Sequence, residues 1–337
     1  MAIIGRAPTA PRVVTPRLAA SLIGALLLVG VLVRLAAPGR VDWLRAALIV
    51  FGSLLIQALP FVLVGALAAA LIEVFVPIGT LERISRLPRP LQLPVAGLAG
   101  MAFPICECGS VPVARRLMTK GLAPSAAITF MLAAPIVNPV VMASTFYAYR
   151  GRTVVGTMML GRFGVGLLVA IAVGWALGAH TKEELLRPAK GETHAHHVTL
   201  GRPEPKWQRF FVHFGNDFLF MGRYLLLGAT VAAFVQTFLP QTILGRVAGT
   251  PVLSLLMLMG LAALLSLCSE SDAFIAASFT QFGPSAQLAF LVFGPMVDLK
   301  LVAIYSGTFR PVVVRTIVIG AMAVTLVGTL WIGVVAG

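Results

Sequence analysis

The sequence is poor in charge. Of its 337 residues only 11% are Asp, Glu, Lys or Arg, where a soluble domain carries about 25%. Acids are the scarcest class, 12 against 26 Lys and Arg. With 58% of residues hydrophobic, this shortage excludes a water-soluble globule, because there is too little polar surface to cover the core. Cysteine is scarce as well, and Cys106, Cys108 and Cys268 all lie inside apolar segments, which excludes a disulfide scaffold and leaves ligation or packing. There is no C-x-x-C-H, no His pair at helical spacing within a span and no nucleotide-binding loop, so no cofactor is expected. The formal charge of +14 does not point to nucleic acid either. The Lys and Arg residues fall mostly in short connections between apolar runs, where they meet lipid headgroups.

Long apolar runs are what the sequence has. They cover about residues 18–37, 46–76, 92–120, 122–149, 153–178, 212–239, 251–280, 284–309 and 313–336, most of them at least about the 20 residues that a helical bilayer crossing needs. The runs are continuous rather than alternating, and an unpaired strand cannot satisfy its backbone in lipid. The expectation is an all-α, polytopic membrane protein of nine spans. Arg6, Arg12 and Arg17 precede the first run, and a retained first helix is favoured over a cleaved signal peptide. Arg and Lys in the short loops lean towards a cytoplasmic N-terminus. The polar stretch 179–211 reads as a linker; its His194, His196 and His197 are more simply a solvated loop than a metal site.

The chain repeats itself. Cys108 to Arg150 lies over Cys268 to Arg310 without a gap at an offset of 160, with Cys108/Cys268, Pro124/Pro284, Phe130/Phe290, Pro135/Pro295 and Arg150/Arg310 coinciding. Upstream, Pro60 to Pro77 lies over Arg223 to Pro240 at an offset of 163. The division expected is an N-terminal arm with a first helix (1–45), one four-helix repeat (46–178), the linker (179–211) and a second four-helix repeat (212–337). An even number of spans per unit puts the two repeats parallel, about an axis near the membrane normal.

Four runs are interrupted near their centres: at Cys106, Glu107, Cys108 and Gly109 with Pro112; at Pro135, Asn138 and Pro139; from Ser266 to Asp272; and at Pro295, Asp298 and Lys300. Such breaks leave backbone groups without helical partners and are tolerated only around a protein-enclosed cavity. In matching positions of two halves they mark the binding site of a transporter. The candidate substrate-binding residues are therefore Cys106, Glu107, Cys108, Gly109, Pro112, Pro135, Asn138, Pro139, Cys268, Glu270, Asp272, Pro295, Asp298 and Lys300. Ionisable groups at this depth need partners or water. Lys300 is expected to pair across helices with Glu270 or Asp272, because Asp298, two residues away, faces it only if the break re-aims the chain. Such carboxylates suit a proton-coupled carrier, or else ion pairs that fix helix register. A pseudo-two-fold axis brings Cys108 and Cys268 together, with Cys106 nearby, as a candidate soft-metalloid site, although small buried thiols also serve packing. Arg115, Arg116 and Lys120 read as headgroup anchors in preference to a charge that draws an anion into the site.

The segment CECGSVPVARRLMTKGLAPSAAITFMLAAPIVNPVV from Cys106 to Val141, followed by CSESDAF and FGPMVDLKL in the second half, resembles the signature of the ArsP/YraQ-like predicted permeases. The resemblance covers about residues 46–336 and implies efflux through the inner membrane. In one branch of that family the cargo is a trivalent organoarsenical, with cysteines in these motifs handling it. The function expected is a non-enzymatic permease for a small soft solute or metalloid. The alternatives are a permease for another ion or organic solute, a membrane-embedded redox or metal-handling protein, and a scaffold subunit.

Overall fold

The structure is a computed structural model that describes residues 42–77, 85–102, 105–187, 205–238 and 251–336. The first apolar run and the His194, His196, His197 cluster lie outside these. Thirteen α-helices are described, with no strand among the described residues beyond one isolated bridge between Leu186 and Phe309. In chain order they are α1 (Asp42–Phe75), α2 (Arg89–Ala99, extended by a 3₁₀ turn at Gly100–Ala102), α3 (Glu107–Thr119), α4 (Pro124–Val137), α5 (Pro139–Tyr149), α6 (Val155–Ala176), α7 (Lys182–Leu185), α8 (Lys206–Phe238), α9 (Pro251–Leu265), α10 (Asp272–Ser278), α11 (Pro284–Phe293), α12 (Leu299–Thr308) and α13 (Pro311–Ala336). The chain divides into two compact units, Met1–Ile49 and Val50–Gly337, and the second holds most of α1 and every helix after it.

Among the described residues five stretches are long and apolar enough to cross a membrane: Leu44–Phe75, Pro124–Tyr149, Val155–Ala176, Lys206–Phe234 and Pro311–Val334. The expected runs 92–120, 251–280 and 284–309 each appear instead as two shorter helices with a gap between them. The outer surface of the second unit is apolar: Ile56, Leu160, Leu168, Trp331 and Val334 are all exposed. That inversion of the soluble pattern is what a lipid-facing surface requires. Pro124–Tyr149 is the span most enclosed by protein.

The breaks have local causes. At the α4–α5 junction Asn138 leaves the helical region (φ −57, ψ 131) and its side-chain oxygen accepts the Val140 N–H at 2.9 Å. Pro139 follows as the first residue of α5, a position where its missing N–H costs nothing and where it forces the preceding residue to be extended. At the α11–α12 junction Asp298 is extended (φ −137, ψ 171) and caps α12 by accepting the Leu301 N–H at 2.6 Å. Between α9 and α10, Ser266 sits at φ 48, the left-handed region that costs a non-glycine residue roughly 1–3 kcal/mol.

Helices α2, α3 and α6 pack on α4, while α9, α10 and α13 pack on α11. Contacts α3 with α12, α5 with α10 and α6 with α13 tie the first half of the unit to the second. The start of the linker is fastened rather than free. Arg187 N–H donates to the Thr308 carbonyl at 3.0 Å, and Arg310 N–H to the Leu185 carbonyl at 2.9 Å.

Two close backbone approaches set the helix positions around the breaks. Gly65 on α1 lies directly against Gly109 on α3, and a Cβ at Gly228 on α8 would come 2.5 Å from the Lys300 Cα on α12. Overpacking of this kind costs about 1–3 kcal/mol. We predict that Gly228→Ala lowers the thermal unfolding temperature of the detergent-purified protein, whereas alanine at Gly260, which has open space around it, leaves it nearly unchanged; equal effects would contradict the close approach.

Candidate functional site

The breaks at the start of α3, between α9 and α10, and at the start of α12 meet. Glu107 is the first residue of α3, Lys300 the second of α12, and Ser266 and Ser269 lie in the α9–α10 link. The Lys300 ammonium donates to Glu107 Oε1 at 3.0 Å and to the Ser266 carbonyl at 3.0 Å, and stands 3.5 Å from Asp298 Oδ2. The Ser269 hydroxyl donates to the second Glu107 oxygen, Oε2, at 3.1 Å. Glu107 and Asp298 are each 1% exposed and Lys300 is 3% exposed. The strained Ser266 backbone thus aims a carbonyl at a buried ammonium.

This arrangement corrects the expected pairing. Lys300 binds Glu107, on a different helix, rather than Glu270 or Asp272. Asp298 does reach it, because its extended capping conformation turns the carboxylate back over the first turn of α12. Asp272 has its own partner, Arg162 on α6, through a two-pronged pair at 2.9 and 2.8 Å. The same guanidinium donates to Thr145 Oγ1 at 2.8 Å and to the Ser269 carbonyl at 3.1 Å. Ser269 therefore joins both charge pairs, by its carbonyl to one and its hydroxyl to the other. Arg162 is fully buried, and sequence reasoning missed it. The available signal was its charge near the middle of an apolar run, the same criterion that singled out Lys300.

Cys106, Cys108 and Cys268 are buried and free, within one continuous apolar core. The Cys268 thiol donates to Glu270 Oε2 at 2.8 Å, so Glu270 engages a cysteine rather than Lys300. Among the described residues no three His, Cys, Asp or Glu side chains are set together to hold a metal ion. Gly109 backs onto α1 at the Phe61 carbonyl and Gly65, while Pro112 and Pro135 are buried within α3 and α4, and Pro295 is buried in the α11–α12 link. Asn138 is spent on capping α5, and Pro139 is exposed.

A second charged group lies about 13 Å further along α3, nine residues at 1.5 Å each. Arg116 donates to Asp217 on α8 at 2.9 and 3.1 Å and to Glu73 on α1 at 3.4 Å. Lys120 stands 3.5 Å from Glu73 and donates to its carbonyl at 2.6 Å. Both cations are buried, which corrects their reading as headgroup anchors. They fasten α3 to α1 and α8. Arg115 lies over the Phe220 ring at 5.8 Å.

An all-α polytopic protein, apolar outside and holding paired charges at interrupted helices inside, belongs to the class of membrane permeases. The chain belongs to the ArsP_1 family, described as "Predicted permease", whose family model matches residues 43–334. It is similar to the UPF0718 protein YcgR of Bacillus subtilis (strain 168), 39% identical over 283 residues that make up 83% of this chain and 95% of the relative. It is also similar to a protein of Streptococcus mutans serotype c described as a putative two-component membrane permease complex subunit, 34% identical over 264 residues, 78% of this chain and 87% of that one. No solved structure matches.

Breaking one side of a buried ion pair typically costs about 3–5 kcal/mol, because the other charge is left uncompensated, whereas replacing both sides by apolar groups is often nearly neutral. We predict that Arg162→Leu and Asp272→Leu each strongly lower the unfolding midpoint of the purified protein and that the double variant recovers most of the loss. Additive losses in the double variant would contradict the pairing.

Proposed function

We propose that the protein is an inner-membrane efflux permease for a small soft solute of the trivalent organoarsenical class, carried past the meeting point of the interrupted helices. The observation that carries this reading is the placement of the thiols. Cys106 and Cys108 flank Glu107, and Cys268 adjoins Ser269, so every cysteine of the chain borders the charged cluster. Thiols are soft ligands suited to trivalent arsenic. Each thiol that binds methylarsenite forms an S–As bond as an As–O bond breaks, and the displaced hydroxyl leaves with the thiol proton as water. The thiols can then be exchanged away on the other side of the membrane, as a carrier requires.

Parallel repeats fit the same reading. A two-fold exchange of the halves turns the α3–α12 contact into the α10–α5 contact, and both occur. The long helices α1 and α8 and the paired breaks also recur in the same order. Such an arrangement supports alternating access by rocking of one half against the other around a fixed site. The relative described as a complex subunit favours a second reading, in which this chain works beside another membrane subunit; co-purification of a partner from native membranes would distinguish it.

The test is uptake of methylarsenite by everted vesicles. Replacing Cys106, Cys108 and Cys268 with Ser keeps size but removes softness, and we predict that the triple variant loses uptake while expressing normally. Undiminished uptake would assign the cysteines to packing and the solute to a harder class.

A further inference from the structure

The charges where the interrupted helices meet do not balance. Glu107, Asp272 and Asp298 are three carboxylates, and Arg162 and Lys300 are the two cations that meet them. Asp272 is closed off, with both oxygens held by Arg162. Two carboxylates then share one ammonium, and they are served unequally. Both Glu107 oxygens accept a hydrogen bond, from Lys300 and from Ser269. Asp298 Oδ1 accepts the Leu301 N–H, but the fully buried Oδ2 has only the long contact to the shared Lys300 ammonium at 3.5 Å. A buried carboxylate oxygen held only by a distant, shared ammonium, in a cluster with a surplus negative charge, is costly twice over.

We infer that Asp298 Oδ2 is the binding site for the proton that this permease exchanges for its solute, an inference that rests on the permease reading. A single proton on Oδ2 removes the surplus charge and leaves the ammonium to Glu107 and the Ser266 carbonyl. A metal cation fits less well, because it needs several oxygen ligands, and the nearby Ser266 carbonyl is already taken by Lys300. The other groups around Asp298 are accounted for. On α12 the Tyr305 hydroxyl donates to the Met296 carbonyl at 3.2 Å. From α3 come Glu107 and, beside Lys300, Cys108. In the α9–α10 link Cys268 donates to Glu270. Helix α8 presents Gly228, which has no side chain, to Lys300.

The proton reaches the rest of the site through Lys300. With Asp298 charged, the ammonium is drawn to two carboxylates. With Asp298 protonated, it belongs to Glu107 alone. Its third partner, the Ser266 carbonyl, sits on the strained backbone two residues before Cys268. Loading or unloading the proton therefore pulls on the segment that carries one of the proposed arsenic-binding thiols.

The experiment uses the full chain reconstituted in lipid, with two readouts. Infrared difference spectra over a pH titration should show a carboxylic-acid C=O band that appears on acidification in the wild type, is absent in Asp298→Asn and returns in Asp298→Glu. Asn retains a capping oxygen for Leu301, so folding of that variant is expected, and Asp298→Glu checks it. A band unchanged in Asp298→Asn would overturn the inference. The second readout is methylarsenite accumulation in proteoliposomes with and without a one-unit pH gradient at clamped voltage. One proton per neutral solute allows up to roughly tenfold accumulation. The wild-type ratio should approach that value, and the Asp298→Asn ratio should be about one. A wild-type ratio of one with measurable flux would overturn the proton coupling. No wild-type flux at all would instead overturn the proposed solute, and the infrared band would still decide the proton site.

Discussion

A charged amine cannot remain alone inside an apolar helix assembly, and the arrangement around Lys300 follows from that requirement. Its ammonium is withdrawn from solvent, and the several kcal/mol of desolvation this entails must be offset by close, well-directed partners. Glu107 and Ser266 supply them at 3.0 Å. For Glu107 to be there, α3 must begin at that depth; for the Ser266 carbonyl to be there, α9 must stop and the chain must turn through a left-handed residue. The interruptions in the helices are thus where the charges find their partners, and neither feature is stable without the other.

The two charge pairs are coupled but unlike. Arg162 and Asp272 form a saturated, bidentate unit with fixed geometry, suited to holding α6 against α10. Lys300, Glu107 and Asp298 form an unsaturated unit in which one ammonium serves two acids at unequal distances. Ser269 touches both, so a shift in the second is felt by the first. The group of Arg116, Lys120, Glu73 and Asp217 further along α3 anchors the same helix at its other end, leaving the Glu107 end as the part that answers to the site.

Much of this was legible in the sequence for a stated reason. Continuous apolar runs exclude strands in lipid, and Asn138 with Pro139, or Asp298 after Pro295, favour an interruption, although Pro60, Pro94, Pro112 and Pro135 lie inside helices. The rule that ionisable groups within spans need partners picked out Glu107, Glu270, Asp272, Asp298 and Lys300, of which Glu270 is only half-buried and meets Cys268 rather than a cation. Partner identity was not legible, because Lys300 and Glu107 are 193 residues apart and their meeting depends on helix packing that periodicity does not encode. Arg162 was overlooked because its run has no Pro or Asn to draw attention to it. Arg116 and Lys120 look like span-end anchors until Glu73 and Asp217, from two other helices, are brought beside them. Ser266 contributes a backbone carbonyl, and no residue type announces that.

The mutual neutralisation of Lys300 and Glu107 across α3 and α12 is the central requirement of the site. A double-mutant cycle of Lys300→Met and Glu107→Gln, read from the unfolding free energy of the lipid-reconstituted protein, tests it directly. Lys300→Met, which strands two buried carboxylates, should be strongly destabilising, by about 3–5 kcal/mol; Glu107→Gln, which leaves Lys300 with Asp298, should cost less, and the double variant should lose less than the sum. Single losses that simply add in the double variant, to within about 0.5 kcal/mol, would contradict the pairing.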